Sequence, residues 1–424
     1  MVMIRLRPAG LLVATVLTVA TLAAGCSAPA GEPGPTSLPG PVQSSARPSP
    51  SPSPSPSGGG TPSPSASQSV PSATPSAPPT QEPPPGEPDL SLVAGWSLEQ
   101  KVGQVVMVGL PVKGPFQPTF DMLRDQKIGG VFLHGRTQAG RGPVKNLVDA
   151  AVAAADSPVP LFVATDQEGG AVQVLRGKGF SDMPSALDQA TLSAPDLRAR
   201  SEVWGQELAA AGVNLNLAPV LDLVPQQSAT SNAPIGVFGR NYGYTEQSVI
   251  THGNAFAEGQ RDSGVQTSIK HFPGLGRVTG NTDTTAGVTD TVTGPDDPSV
   301  SVFDAGIKDG TGLVMMSSAI YARIDPDAPA VFSPTVVSLV REHGFDGVII
   351  TDDLSAAVQV QGVPAGQRAV RAVDAGVDLV LASAKPSVAP AMVDALVRAA
   401  RKDPAFAAKV DAAAARVVAA KSGL

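Results

Sequence analysis

The sequence predicts an α/β protein whose folded part is a single (β/α)8 (TIM) barrel. Three observations carry that expectation. First, the chain has 424 residues, 42% of them hydrophobic and 16% charged, but 20 of its 42 prolines fall between Pro29 and Pro88. Setting that stretch and the N-terminus aside leaves about 335 residues, the size of one large α/β domain. Second, eight short apolar or β-branched runs recur along this remainder: Gln104–Leu110, Gly129–Leu133, Leu161–Thr165, Asn214–Ala218, Thr267–His271, Leu313–Ser317, Gly347–Thr351 and Val377–Leu381. Third, Ala- and Leu-rich helical stretches such as Leu187–Gly212 and Pro334–His343 lie between them. Continuous apolar strands alternating with helices indicate a parallel sheet covered on both faces. A count of eight favours closure into a barrel over a doubly wound open sheet.

The elements before the barrel read differently. Arg5 and Arg7 precede the apolar run Leu11–Ala24, which ends in Leu22-Ala23-Ala24-Gly25-Cys26. A run of about 14 apolar residues is too short to cross a bilayer core of about 30 Å as a helix. Basic residues, a short apolar core and small residues before the break make residues 1–25 a secretory signal. The sole cysteine stands where a bacterial lipobox places it, and this segment resembles a lipoprotein signal. The resemblance implies that Cys26 is lipidated and anchors the chain to the membrane. Residues 26–88, including the alternating run Ser49-Pro50 through Ser55-Pro56, cannot bury enough apolar surface to fold and form a disordered, stiff, extended tether. The barrel is assigned to residues 89–424.

Composition excludes several classes of function. Thirty Lys and Arg against 37 Asp and Glu leave a net charge of −7, so nothing attracts a nucleic acid. One cysteine rules out a disulfide framework and a cysteine-built zinc site. No metal-ligand set, phosphate-binding Gly loop or nucleotide fingerprint is present, so neither metal nor cofactor is expected. A monomer is expected.

In a barrel of this kind the chemistry collects at the C-terminal ends of the strands. The third run is followed by Thr165-Asp166-Gln167-Glu168-Gly169-Gly170, the fifth by Lys270-His271-Phe272-Pro273-Gly274-Leu275-Gly276, and the seventh by Thr351-Asp352-Asp353-Leu354-Ser355. Between the fourth and fifth stands Gly236-Val237-Phe238-Gly239-Arg240-Asn241-Tyr242-Gly243. Carboxylates accept hydrogen bonds from sugar hydroxyls, Lys and Arg donate to them, and glycines admit a close backbone approach. The pattern is that of a polar site for a polyhydroxy ligand. A glycosidase needs a carboxylate nucleophile or base and a proton donor for the leaving oxygen. Asp352, emerging from the buried run Val348-Ile349-Ile350, is the nucleophile candidate, while Asp353 can cap the segment that follows. Met315-Met316 belongs to the barrel core, and Tyr242 and Tyr321 are lower-ranked candidates for stacking on a sugar face.

These residues resemble glycoside hydrolase family 3, in particular its single-domain bacterial β-N-acetylglucosaminidases. The likeness begins at Leu98-Glu99-Gln100-Lys101-Val102-Gly103-Gln104 and runs through Asp166–Gly170, Val213–Asp222, Lys270–Gly274 and Thr351–Leu354. It implies a (β/α)8 barrel and a retaining double displacement with Asp352 as nucleophile. Asp166, Lys270 and His271 become sugar-binding positions, and Arg240 joins them across a longer spacing than the family usually shows. The chain departs from the family pattern after the fifth strand. There the family usually reads Lys-His-Phe-Pro-Gly-His-Gly, four residues, then Asp-Ser-His, whose final histidine is the general acid/base. Here Leu275 replaces the first loop histidine and Asn281-Thr282-Asp283 occupies the place of Asp-Ser-His. Asp283 is therefore the candidate acid/base, since a carboxyl raised by burial or a neighbouring charge can protonate a leaving oxygen.

The expected function is an extracytoplasmic, lipid-anchored enzyme that removes terminal β-linked GlcNAc from peptidoglycan-derived saccharides without a cofactor. The alternatives are a sugar- or wall-binding lipoprotein that has lost its acid/base, and a related β-glycosidase or phosphorylase.

Overall fold

The computed structural model describes residues 86–424; the signal-like segment, Cys26 and the tether up to residue 85 lie outside the described residues. Eight parallel strands form one sheet: β1 (Val106–Pro111), β2 (Gly130–His134), β3 (Phe162–Thr165), β4 (Leu215–Asn216), β5 (Gln266–Phe272), β6 (Leu313–Met316), β7 (Val348–Thr351) and β8 (Val380–Ala382). Each lies in one of the eight runs read from the sequence, displaced by a few residues at its ends. They are ordered β7-β6-β5-β4-β3-β2-β1-β8. A bridge between Ile350 and Leu379 joins β7 to β8, and the Thr351 N–H donates to the Leu379 carbonyl at 3.0 Å. That contact closes the barrel. β4 is short because Pro219 follows Ala218 and has no N–H to extend the ladder.

The helices are α1 (Leu98–Gln104), α2 (Gln117–Gln126), α3 (Arg141–Ala155), α4 (Ala186–Gln189), α5 (Ala194–Ala209), α6 (Glu246–Asp262), α7 (Pro298–Lys308), α8 (Pro334–Glu342), α9 (Ala365–Ala375), α10 (Ala389–Lys402) and α11 (Pro404–Lys421). One expectation needs correction: Leu187–Gly212 is two helices, not one. Ser193 takes the N–H of Asp196 on its side chain and Pro195 sits in the first turn, so α5 starts afresh there. The helices bury their apolar faces against the outside of the sheet in one continuous cluster. A second cluster, including Met107, Phe162, Leu215, Leu313, Val348 and Leu379, fills the barrel itself.

Both ends of the barrel carry polar groups. At the N-terminal end of the strands α11 delivers Lys421, 1% exposed, beneath the apolar fill. Its ammonium nitrogen lies 5.1 Å from the Phe162 ring centre and donates to Gln104 Oε1 and the Gly129 carbonyl, both at 2.6 Å. Among the described residues no carboxylate pairs with it, and burial lowers it to about 7. At the opposite end the fill stops at Phe132, Leu217, Met315 and Leu381, from β2, the end of the β4 segment, β6 and β8. Four side chains from alternate strands make one layer of a barrel interior, and here that layer is the floor of a cavity.

Candidate active site

The cavity holds about 360 Å³ at the C-terminal mouth of the barrel, within the range of about 300–1,000 Å³ typical of small-ligand sites. Asp166, Arg240, Lys270, His271, Asp283 and Asp352 all line it. The structure thus brings together every site residue expected inside the barrel, from five separate stretches of chain. Cys26, the expected lipidation site, lies outside the described residues.

Local backbone features explain how neighbouring residues reach one cavity. Successive side chains of a regular strand face opposite sides, yet Lys270 and His271 both line the cavity. The register of β5 against β6 shifts there: Lys270 pairs with Met315 and Phe272 with Met316, leaving His271 as the extra residue of a bulge. After β3 the chain turns back through the hairpin Gln167–Gly169 and Val172–Gln173. Gly169 has φ +106° and a Cβ there would lie 2.1 Å from the Pro184 carbonyl oxygen, so only glycine allows this turn.

The cations of the site are held by carboxylates. Glu168, 3% exposed, receives Arg240 through both oxygens, Nε to Oε2 and Nη2 to Oε1, each at 2.8 Å. Lys270 Nζ lies 2.6 Å from Glu168 Oε1 and 2.7 Å from Asp166 Oδ1. Burial alone would raise the Glu168 carboxyl, but the Arg240 and Lys270 charges outweigh it and hold the group at about 2. Burial works against the Lys270 ammonium, and the Asp166 and Glu168 charges more than compensate, so it is raised. His271 Nδ1 lies 2.7 Å from Asp222 Oδ2, and Asp222 also accepts the backbone N–H groups of His271 at 3.1 Å and Leu275 at 2.7 Å. Lys270, Arg240 and His271 are therefore oriented before any ligand arrives.

Asp352 stands at the end of β7, its N–H bonded to the Met316 carbonyl. Its Oδ1 accepts the Asp353 N–H at 2.7 Å; among the described residues no side chain donates to Oδ2. Asp353 does not cap a helix. Its carboxylate accepts the N–H groups of Ser355, Ala356 and Ser383 and the Ser355 hydroxyl, tying the turn after β7 to the end of β8. Asp283 hangs from the long excursion after β5. Its N–H bonds to Asn281 Oδ1 at 2.8 Å, and the Asn281 carbonyl accepts from Thr284 and Thr285. The residue is exposed, and among the described residues its carboxylate accepts no hydrogen bond from the protein. Crowding by the cleft walls, then the charges of Asp352 and Asp353, push it up to about 6, with His271 and Arg240 acting in the opposite sense.

Two residues that hold the cavity's side chains in place escaped the sequence reading. Glu168 and Asp222 were visible only as members of longer motifs, although each is a carboxylate embedded in an apolar or glycine-rich string, which is a signal in itself. The tyrosine candidates do not reach the cavity. Tyr242 is buried with its hydroxyl on Gln189 Oε1, and Tyr321 is buried with its hydroxyl donating to the Gly274 carbonyl. Of the four histidines only His271 lines the cavity, and Leu275 contributes an apolar wall.

The profile described as the glycosyl hydrolase family 3 N terminal domain matches residues 97–420. The chain belongs to glycoside hydrolase family 3. Among proteins of known structure, a β-N-acetylhexosaminidase from Beutenbergia cavernae is 55% identical, with a TM-score of 0.76 over 78% of this chain and 99% of that one. A family 3 β-N-acetylglucosaminidase from a Paenibacillus species is 29% identical, with a TM-score of 0.70, covering 78% of this chain and 63% of that one. The β-hexosaminidase of Stenotrophomonas maltophilia is 36% identical over 276 residues, 62% of this chain and 78% of its own length.

Proposed function

We propose that this family 3 glycoside hydrolase is a retaining β-N-acetylhexosaminidase that removes terminal β-linked GlcNAc. The observation that carries the reading is that two carboxyl groups of different character, Asp352 and Asp283, line one cavity with a pre-oriented Lys270, His271, Arg240 and Asp166. The names of the family 3 relatives support the N-acetyl sugar. In the first step an Asp352 oxygen bonds to the anomeric carbon while the glycosidic oxygen leaves with the proton of Asp283. In the second step water attacks that carbon, the bond to Asp352 breaks, and the Asp283 carboxylate takes the proton from water. Asp166, Lys270, His271 and Arg240 bind the sugar hydroxyls.

Hydrolysis is favoured over phosphorolysis by the charge around the cavity. Arg240 and Lys270 are already paired with Glu168 and Asp166, and Asp283, Asp352 and Asp353 add negative charge, so an attacking phosphate meets repulsion. The signal-like residues 1–25, Cys26 and the Pro/Ser stretch support an extracytoplasmic, lipid-anchored enzyme; its proposed substrates are peptidoglycan-derived saccharides and its proposed state a monomer. The test is turnover of aryl β-N-acetylglucosaminide and aryl β-glucoside, with and without phosphate. Cleavage of the N-acetyl substrate, independent of phosphate, is the expected result. Sugar binding without turnover of any substrate would move the protein to the sugar-binding class.

A further inference from the structure

The loop that carries Asp283 is not free. Its two ends are bonded by one short segment, the 3-10 turn Val358–Val360. The Val358 N–H donates to the Asp283 carbonyl at 3.2 Å, and the Gln359 N–H to the Thr282 carbonyl at 3.0 Å. The Gln359 amide then reaches the other end of the loop. Its Oε1 accepts the Val288 N–H at 2.9 Å, and its Nε2 donates to the Val288 carbonyl at 3.2 Å. Among the described residues Gln359 is the one side chain from a distant segment that hydrogen-bonds loop 281–288; the adjoining Thr289 hydroxyl donates to the Gly287 carbonyl. Both bonds are to backbone, at a residue whose carbonyl also accepts the Ile320 N–H at 3.0 Å.

The segment that holds the loop is itself rigid, and it is the nucleophile's own segment. It leaves β7 at Asp352, where the Asp353 carboxylate gathers Ser355, Ala356 and Ser383. Arg368 of α9 then donates to the carbonyls of Leu354, Ser355 and Val363 and to Gln361 Oε1. The chain from 352 to 363 is thus a braced frame. The nucleophile is at its start and the anchor of the Asp283 loop is seven residues further on.

We propose that Gln359 is a positioning residue, which sets the reach of Asp283 to the leaving oxygen by fixing loop 281–288 to the frame that carries Asp352. The inference rests on Asp283 being the proton donor. It makes a demand that a merely structural clamp does not: loss of the clamp must cost most where protonation of the leaving group matters most. General acid catalysis is worth about 10²–10⁴-fold, and a loosened donor forfeits part of it on a sugar leaving group and almost none on an acidic phenol.

The experiment uses the full-length chain with Gln359→Leu, which removes both side-chain bonds at similar volume, and Gln359→Glu, which keeps the acceptor for the Val288 N–H and loses the donor. Each is assayed on 2,4-dinitrophenyl β-N-acetylglucosaminide and on the β-linked GlcNAc disaccharide, beside Asp283→Asn. For Gln359→Leu the expected kcat/KM on the disaccharide falls by about tenfold or more, with less than about threefold change on the dinitrophenyl substrate. Gln359→Glu falls between that variant and wild type. An equal loss on both substrates, or no loss on either, overturns the proposal, and where Gln359→Leu does not fold the same two outcomes are read from Gln359→Glu. Should Asp283→Asn show no dependence on the leaving group, the donor assignment itself fails. Should Asp283→Asn show it and the Gln359 variants not, only the positioning role fails.

Discussion

The raised carboxyl of Asp283 makes a quantitative prediction about pH. Its value of about 6 comes from crowding in the cleft and from the charges of Asp352 and Asp353. In the proposed mechanism the first chemical step needs this group protonated and Asp352 ionised. The rate of that step therefore follows the protonated fraction of Asp283, about one half at pH 6, about a tenth at pH 7 and about a hundredth at pH 8. On the disaccharide, kcat/KM is expected to fall about tenfold per unit above pH 6.5. Asp283→Asn has no proton to lose, so its much lower rate is flat across the same range. The variant carries a second signature in stability. The folded-state value lies above the ordinary carboxyl value of 3.8, so the folded wild type is penalised once pH rises through 6, and the penalty vanishes below the ordinary value. Asp283→Asn should therefore melt higher than wild type at pH 7.5 and equally at pH 3.5. A plain measurement of kcat/KM from pH 4.5 to 8.5 on both proteins decides it. An alkaline limb that survives in Asp283→Asn would refute the reasoning, because the titrating group would then be another.

Three further outcomes follow from the same geometry. Asp352→Ala should lose at least about a thousandfold in turnover on every substrate, dinitrophenyl included, while still binding sugar, since leaving-group acidity cannot replace a nucleophile; this is checked by steady-state kinetics and calorimetric titration with GlcNAc. Glu168→Gln removes the countercharge of Arg240 and Lys270. Breaking a buried pair costs about 3–5 kcal/mol, so urea unfolding should show a loss of that order, with KM raised more than kcat is lowered. Lys421, held near 7 when folded against 10.5 ordinarily, binds fewer protons in the folded than in the unfolded chain between those values. Stability rises with pH across that window, so the melting temperature of wild type should climb from pH 7 to 9 relative to Lys421→Met.

The barrel was legible because each strand is a local event. Runs such as Val348-Ile349-Ile350 are buried on both faces, and their apolar character does not depend on what they pair with. Strand ends and helix breaks were less so, because they turn on single residues such as Pro219 and Ser193. Within the site, Asp166, Lys270, His271 and Asp352 could be read because each directly ends or follows a strand. Glu168 could not be ranked, since its importance lies in partners 72 and 102 positions away, Arg240 and Lys270. The tyrosines failed for a similar reason: Tyr242 and Tyr321 sit in polar-looking stretches, and only the packed structure shows their hydroxyls bonded beneath the surface. Gln359 was invisible for a sharper one. An amide that bonds backbone groups at Val288 leaves no residue-type signature at either end.

A single carboxyl in place of a histidine changes what the site must supply. A histidine titrates near neutral pH unaided, whereas a carboxyl must be raised by its neighbours to hold a proton there. Here part of that neighbourhood is Asp352, the proposed nucleophile. While Asp352 is ionised, its charge disfavours ionisation of Asp283 and keeps the proton available for the leaving oxygen. Once Asp352 has formed its bond to the sugar, it is an ester and carries no charge. The repulsion is then reduced to that of Asp353, and Asp283 becomes a weaker acid-holder and a better resident carboxylate, which is the state the second step needs in order to accept a proton from water. Asp283→Glu tests this coupling. It keeps the carboxyl but moves it by one methylene, so the first step should suffer from misplacement, while trapped glycosyl-enzyme should still be hydrolysed with its rate rising through the lower, ester-state value of the carboxyl. If the two steps instead titrate at the same pH, the charge of Asp352 does not govern Asp283, and burial together with the Asp353 charge must account for its value.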